Sequence, residues 1–421
     1  MKSNRRAAGA SRALLVFGAA LAGAAFLSCE RISYFRSGGD GEPTGSSSSG
    51  VASDGGNASV TRAEVLAAVG SCATALYRDF RIAAGELKGA ADSAKATPDL
   101  SHREAARAAW TKAIAIWQQA ELVRVGPAGP VTLPGGQGLR DSIYSWPLVS
   151  RCLVEQTIAA KGYESPTFSK TALINVRGLA AAEYLLFYEG TDNACGANAS
   201  INTTGAWAAI GSDELALRKA SYAAVVAADI ADKAVIIEQA WDPSAGNFAS
   251  VLSGAGGDKS PFESVSFALN VVSDGLFFIE KEVKDRKLGR PLGLVDCPSA
   301  SCPEAVESPY AMRSRDHIRN NIEGFRRIFE GCDLAAQGGF EDLLISVGAG
   351  DLASRMKSDI AGALAAADGV PHSDIGTAIS IDRPSVEALH AAVKAITDEL
   401  KTEFVTVLDL EIPKVVEGDN D

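Results

Sequence analysis

The sequence predicts an all-α protein built as two packed helical bundles. Apolar residues recur at spacings of four, three and four in several segments, which places them on one face of a helix. A helix-start pattern precedes the first of these segments, and the alternating pattern of half-buried strands is scarce. The chain has 421 residues, of which 47% are hydrophobic, so it can bury a full core and form two domains.

Residues 1–28 have the pattern of a signal peptide. Three arginines precede an apolar stretch at 13–27, which is too short to span a bilayer comfortably as a mature helix. The stretch ends in FLSC, which resembles a bacterial lipobox, and Glu30 after the cysteine favours the outer membrane. We therefore expect export and a lipid anchor at Cys29 in the outer membrane, facing the periplasm or the cell surface. Secretion without a lipid is the alternative.

Residues 29–60 are predicted to form a flexible, lipid-anchored tether. Their segment 36–59 is rich in Gly and Ser and has almost no large apolar side chains, so it cannot bury enough surface to offset its ordering entropy. The net charge of −12 argues against a nucleic-acid partner, because no basic surface is available to neutralise phosphates. The expected plan is a lipid, a tether and a helical body.

The cysteine count indicates disulfides. Seven cysteines are present, and six remain if Cys29 carries lipid. An even number in an oxidising compartment favours disulfide bonds. Cys297 and Cys302 flank a short Pro/Ser loop and are the predicted pair, with a metal–thiolate site as the alternative. The other pairings stay open.

The first bundle is predicted over residues 61–200. Thr61 and Glu64 form a capping box, in which hydroxyl and carboxylate bind free amides at a helix start. Further helices are expected at about 102–124 and, after a loop around Trp146, at about 168–188.

The second bundle is predicted over residues 201–421. Its apolar seam has spacings of four, three, four, three and four. The seam consists of Val265, Leu269, Val272, Leu276, Ile279 and Val283. Later helices are expected at about 314–330, 351–367 and 383–404.

Two carboxylates continue apolar helical stripes. Glu121 follows Trp110 and Trp117 on one stripe, and Glu183 lies within a strongly apolar helix. An unpaired buried carboxylate is costly, so each should meet a cation, a hydrogen-bond donor, a proton or a metal ion. Alternatively, Glu121 lies in water or pairs with Arg124, and Glu183 pairs with an arginine of the core.

Several segments, in this order, resemble the imelysin-like family of iron-regulated envelope proteins. They are AWTKAIAIWQQAELVRVGP (109–127), SIYSWP (142–147), RGLAAAEYLLFYEG (177–190), FALNVVSDGLFFIEKEV with KLGRPLG (267–293), and ESPYAMRSRDHIRNNIEGFRRIF (307–329). The resemblance spans most of the chain after the tether and implies an imelysin-like fold of two helical bundles.

The family's hallmark is a Gly-x-His-x-x-Glu motif whose His and Glu have been interpreted as metal ligands. Gly178 and Glu183 match this motif, whereas Ala180 stands at the histidine position and offers no ligand. The resemblance implies iron or zinc held by Glu183 with Glu121. It also implies a pocket between the bundles. The expected lining residues are Gly178, Ala180, Trp110, Trp117, Trp146, Asp316, His317 and Asn321.

Three functions follow as hypotheses. The first is an envelope lipoprotein that binds a metal or an iron-related ligand without catalysis, near an iron-uptake membrane protein. The second is a metallopeptidase of the imelysin type, although catalytic zinc normally has three protein ligands and Ala180 supplies none. The third is a scaffold lipoprotein that docks a membrane protein. No residue is predicted to be catalytic.

Overall fold

The computed structural model describes residues 59–332, 338–414 and 416, and it contains helices and no strand within them. The all-α prediction is confirmed. The predicted signal peptide, the lipidated Cys29 and nearly all of the tether lie outside the described residues. Val60, the last tether residue, belongs to the body, because it is buried and its amide donates to Ser346 Oγ at 2.7 Å.

The helices are numbered in chain order. They are α1 Arg62–Ala96, α2 Leu100–Ala120, α3 Leu139–Ile143, α4 Arg151–Ala160, α5 Phe168–Thr171, α6 Gly178–Phe187, α7 Ser200–Thr203, α8 Ser212–Trp241, α9 Phe248–Ser253, α10 Val265–Leu276, α11 Arg290–Leu292, α12 Ser314–Glu330, α13 Phe340–Ser346, α14 Gly350–Gly369, α15 Ile375–Glu399 and α16 Val405–Val407. Two π-helices, Ile279–Gly289 and Leu400–Phe404, precede α11 and α16.

Helix α1 is the central helix of the first half. The predicted capping box is present: Thr61 N donates to Glu64 Oε2 at 2.7 Å, and Glu64 N donates to Thr61 Oγ1 at 3.3 Å. One face of α1 packs along α2 and the other contacts α8 and α9, while α6 packs on α2 and α8. Helix α8 falls in the second predicted bundle but packs with helices of the first, so the division at residue 200 stays a prediction.

The second half is assembled around α15. Helix α14 and the first π-helix pack on α15, and α12 packs on α14 and on that π-helix. Helix α12 also packs on α2, which joins the two halves of the body. This contact brings the carboxyl end of α2, where Glu121 lies, against the helix that carries His317 and Asn321.

Two predicted helices are interrupted. The helix expected at 168–188 consists of α5, a short 3₁₀ turn and α6, because Arg177 is extended and Gly178 has a φ of +77°. The helix expected at 383–404 starts earlier, at Ile375, has non-helical angles at Asp382 and ends as a π-helix. The predicted apolar seam runs from α10 into the first π-helix after Leu276. All of its residues except the first, Val265, are buried.

Three disulfides cross-link the body. Cys297 pairs with Cys302, as predicted, and the open pairings are Cys72–Cys332 and Cys152–Cys195. Disulfides form and persist in oxidising compartments, so these bonds indicate an exported protein. Within the described part of the chain, no helical stretch has both the length and the apolar character that a bilayer-spanning segment needs.

Candidate functional site

Helix α6 carries Glu183 into the protein interior. The helix starts at Gly178, where a Cβ would stand 2.7 Å from the carbonyl oxygen of Ile143. Only glycine combines this close approach with a positive φ at no steric cost. Residues 178–186 are all buried, and Glu183 is 3% exposed. Glu183, which the sequence places within an apolar helix, is therefore buried in the structure.

A loop of the second half binds one oxygen of this carboxylate. Glu183 Oε1 accepts hydrogen bonds from Ser308 Oγ at 3.1 Å and from the amides of Tyr310 and Ala311, both at 2.9 Å. No described residue donates a hydrogen bond to Oε2. Burial raises the pKa of Glu183, and the two amides, Ser308 and the nearby His317 lower it without offsetting that effect. The partner is thus a backbone loop rather than the arginine considered from the sequence.

Glu183 lines a cavity of about 450 Å³ between segments of the two halves. Two of the predicted pocket residues, Ala180 and Trp146, line it as well. The other lining residues are Pro147, Val149, Arg151, Val154, Tyr184, Arg286, Arg290, Asp296, Glu304, Ala305, Val306, Pro309 and Tyr310. Because Ala180 has only a methyl group, the place where the family's histidine would project is open space.

Charges of both signs surround the mouth of this cavity. Arg151 Nε donates to Glu155 at 2.7 Å, and Arg286 pairs with Glu282 at 3.0 Å. Arg290 is exposed and forms no ion pair with a described residue. The carboxylates at the mouth are those of Asp296 and Glu304, both exposed. The lining therefore offers donors and acceptors to a polar ligand beside aromatic and aliphatic side chains.

A buried charge network centred on Lys287 adjoins Glu183. The Lys287 ammonium donates to Asn321 Oδ1 at 2.6 Å and to Gln118 Oε1 at 2.8 Å. It also lies 3.0 Å from Glu307 Oε1 and 3.6 Å from Glu121 Oε1. All five side chains are buried. Four oxygens, two of them from carboxylates, thus surround one ammonium group.

Glu307 is the carboxylate that contacts this cation most closely. Tyr144 Oη donates to Glu307 Oε1 at 2.5 Å, and His317 Nδ1 lies 3.4 Å from Oε2. Burial alone would raise the pKa of Glu307, but Lys287, His317 and the Tyr144 hydroxyl hold it well below its usual range. Burial and the neighbouring carboxylates raise the pKa of Tyr144, so its hydroxyl keeps its proton and stays a donor.

Glu121 caps the carboxyl end of α2 and is 1% exposed. Its Oε2 lies 3.2 Å from Arg140 Nη2, and its Oε1 accepts from Asn321 Nδ2 at 3.2 Å. Glu121 is therefore neither in water nor paired with Arg124, the two alternatives considered from the sequence. Glu121 does not line the cavity at Glu183.

These residues do not fit a resident metal ion. Among the described residues, no three His, Cys, Asp or Glu side chains are placed to hold one. Glu121 already faces the cations of Lys287 and Arg140, and one oxygen of Glu183 is bound by three donors. A metal held jointly by Glu183 and Glu121 would have to displace these partners, and Ala180 supplies no compensating ligand.

The remaining predicted pocket residues lie outside the cavity. Trp110 is buried, and its indole donates to the Leu179 carbonyl at 2.8 Å beside the His317 ring. Trp117 packs on Phe80 in the core. Asp316 is partly exposed and pairs with two neighbouring arginines. His317 and Asn321 are buried in the charge network rather than in the cavity.

Lys287, Glu307 and Tyr144 were not predicted from the sequence. A signal was available for Lys287, because it continues the apolar seam one step of four beyond Val283. The reasoning that singled out Glu121 would have predicted a buried, partnered lysine there. Glu307 and Tyr144 lie in irregular segments with no periodicity, and only the tertiary structure brings them together.

Comparisons with known proteins agree with this architecture. The model of the Imelysin family matches residues 73–402. A crystal structure from Parabacteroides distasonis ATCC 8503, described as an iron-regulated protein A precursor, superposes with a TM-score of 0.64 at 20% identity, covering 84% of this chain and 96% of that one. An imelysin-like protein from Psychrobacter arcticum 273-4 gives 0.63 at 18% identity, covering 85% and 100%.

No curated protein matches the chain. At these identities the two crystal structures establish the fold, and the family match rests on a continuous stretch that includes both α6 and α12. That stretch covers well over half of the chain and contains Gly178, Glu183 and Glu307. The chain therefore belongs to the imelysin family.

Proposed function

We propose that the chain is a non-catalytic binding protein of the bacterial envelope, whose cavity at Glu183 takes up a small iron-bearing ligand. The observation that carries the proposal is the cavity of about 450 Å³, lined by a buried carboxylate with one oxygen that accepts no hydrogen bond from a described residue. The wall offers polar and apolar surface in about equal amounts, and a concave site in which fixed polar groups converge is a usual form of small-molecule site.

The lining favours a chelate over a bare ion. Carboxylate oxygen is a hard ligand that suits ferric iron, yet one carboxylate cannot hold it alone. Arg290 is available for the acidic groups of a chelator, and Trp146 and Tyr310 offer aromatic faces. A small organic acid that carries ferric iron would match these groups, with Glu183 facing the metal or a hydroxyl of the chelator.

The association with iron comes from resemblance. The protein from Parabacteroides distasonis is described as iron-regulated, and fold-level likeness alone is a weak basis for function. The absence of a histidine at position 180 argues against the metallopeptidase hypothesis. We therefore treat iron as cargo rather than as a catalytic centre.

The proposal places the protein at the outer membrane. A lipid at Cys29 and the tether up to residue 59 would keep the body close to the membrane while letting it reach a partner. An iron-uptake membrane protein is the proposed partner. A scaffold role without a small ligand is the competing hypothesis, and the binding experiment separates the two.

The test is a calorimetric titration of the purified protein with ferric citrate and with iron-free citrate. We expect saturable binding of ferric citrate at one site, weakened at least about tenfold by Glu183→Gln, since a charged partner is lost. Ala180→Leu should also weaken binding at least about tenfold, because its side chain would project into the cavity beside Glu183. Glu387→Gln, which changes an exposed glutamate, serves as the control.

Two outcomes would count against the proposal. Equal binding by wild type, Glu183→Gln and Ala180→Leu would place the iron elsewhere on the surface. No binding of ferric citrate by any form, together with capture of a membrane protein by the intact lipoprotein, would favour the scaffold hypothesis.

A further inference from the structure

A second cavity, of about 300 Å³, lies at the carboxyl end of α6, whereas the family motif begins at the amino end of that helix. Four elements surround it: the end of α1, the start of α2, the end of α6 with the residues that follow, and the start of α8. The lining residues that matter for ligand binding are Asp99, Arg103, Arg107, Glu189, Lys219 and Ala220. None of them lines the cavity at Glu183.

Small side chains create this space. Five alanines from α1 and α8 face it, together with three leucines from α6 and α8. Two long helices that meet through alanines leave room that larger residues would fill. The resulting surface is mostly apolar, so water finds few hydrogen-bond partners there. The apolar tail of a ligand would therefore bind favourably.

One buried cation lies in the wall of this cavity. Lys219 is 6% exposed, and its ammonium donates to the carbonyls of Tyr188 at 2.9 Å and Gly190 at 3.1 Å. An ammonium has three N–H donors, so one remains for a ligand. Burial lowers the pKa of Lys219 to about 8, and the group is still mainly protonated at neutral pH.

Side chains of both signs line the mouth of the cavity, with Arg103 and Arg107 beside Asp99 and Glu189. Arg103 is exposed there and forms no ion pair with a described residue, whereas Arg107 is neutralised by Glu189 at 2.8 Å and by Glu104 at 2.7 Å. Asp99 is occupied as the cap of α2, where it accepts from the His102 amide. Arg103 is therefore the cation at the mouth that pairs with no described carboxylate, and Lys219 in the wall has one N–H that the two carbonyls do not use.

We propose that this cavity binds a small amphiphile of the fatty-acid class, with its carboxylate at Lys219 and Arg103 and its alkyl chain against the alanines and leucines. A charge-assisted hydrogen bond from a buried ammonium would select the carboxylate head. The apolar wall would select an alkyl tail over a polar one. This site is separate from the iron-related function proposed for the cavity at Glu183.

The test is a calorimetric titration of the whole protein with octanoate and with uncharged 1-octanol. We expect saturable octanoate binding at one site, with 1-octanol at least about tenfold weaker because it cannot use the charged head contact. Lys219→Met should remove the preference for octanoate. Ala220→Phe should fill the cavity and abolish binding of both ligands while Lys219 stays in place.

Two variants serve as controls. Lys170→Met removes an exposed lysine from α5 and should bind octanoate like the wild type. Ala180→Leu changes the other cavity and should also leave octanoate binding unchanged. The proposal is overturned if the wild type binds no octanoate, if Ala220→Phe binds it normally, or if Ala180→Leu loses it. Because Ala220→Phe tests the cavity independently, the proposal stays testable even if Lys219→Met does not fold.

Discussion

Single residues set the charge balance of the buried network, and Lys287 is the residue on which it depends. Its ammonium lies between the carboxylates of Glu307 and Glu121, and the rings of Trp146 and Phe278 lie within 5.6 Å and 5.5 Å of it. The protein thus supplies its own cation where two carboxylates meet. The ammonium of Lys287 explains how the carboxylates of Glu307 and Glu121 can be buried close together.

Removal of that cation should be costly. Lys287→Met would remove the positive charge that lies beside the buried carboxylates of Glu307 and Glu121. Breaking a buried ion pair in this way lowers the free energy of unfolding by about 3–5 kcal/mol. Urea denaturation would measure the loss in the free energy of unfolding. Lys88→Met removes a lysine from an exposed pair with Asp92 and should change stability little. The double variant Lys287→Met/Glu307→Gln should recover part of the loss, and no recovery would contradict the pairing.

Glu307 and Glu183 should shift the pH dependence of stability in opposite directions. The pKa of Glu307 is lowered in the folded chain, so its contribution is present above the ordinary carboxyl pKa of about 4.3 and is lost as the pH falls below it. The pKa of Glu183 is raised, so the folded chain holds that proton more tightly, and stability declines as the pH rises through the ordinary value towards the raised one.

Unfolding free energies measured from acid to neutral pH would test this contrast. Glu307→Gln should reduce the fall in unfolding free energy as the pH drops below about 4.3. Glu183→Gln should remove a decline on the way to neutral pH. Parallel curves for the wild type and both variants would contradict the opposite shifts.

At the scale of the element, the start of α6 fixes where Glu183 lies. Gly178→Ala would place a Cβ 2.7 Å from the Ile143 carbonyl and force a left-handed residue to carry a side chain. We expect a loss of about 1–3 kcal/mol in the free energy of unfolding and weaker ligand binding at the Glu183 cavity.

A matched glycine is available for this prediction. Gly89 lies in an exposed part of α1, and the position that a Cβ would take there has no neighbouring atom within 4 Å. Gly89→Ala should therefore be neutral or stabilising by about 0.5–1 kcal/mol. Thermal or urea denaturation of both variants would measure the two changes in the free energy of unfolding. Equal effects at the two positions would mean that the backbone at 178 can rearrange.

Helical periodicity allowed most elements to be predicted, and close packing decided the rest. The bounds of α12 and the capping box at Thr61 agree with the sequence patterns, since both depend on local contacts. The break before α6 was missed because a glycine in an alanine-rich run looks helical until its contact with Ile143 is known. Glu183 and Glu121 could be singled out as buried carboxylates, but Ser308 and Asn321, which bind them, are more than 100 residues away in sequence. Arg140, the nearer partner of Glu121, is 19 residues away and follows an irregular segment.

At the scale of the whole molecule, the two cavities share a wall. Tyr184 lines the cavity at Glu183, Tyr188 lines the second cavity, and the two rings stack with centroids 5.3 Å apart. Arg151 lies 4.1 Å from the Tyr188 ring, and Lys219 lies 4.9 Å from it. One end of α6 thus supports both proposed sites, with each cation contributing to a different cavity.

The disulfide Cys72–Cys332 should stabilise the whole body far more than Cys297–Cys302 does. It joins α1 to the end of α12 across 260 residues, whereas the other bond closes a separation of 5. In the chain-entropy account, a cross-link restricts the unfolded chain more when its loop is longer, which corresponds to roughly 5 kcal/mol for the long loop and about 2 kcal/mol for the short one. Urea denaturation of Cys72→Ala/Cys332→Ala and of Cys297→Ala/Cys302→Ala would measure both. The long-loop variant should lose at least twice as much unfolding free energy, and similar losses would mean that the unfolded chain retains contacts between its ends.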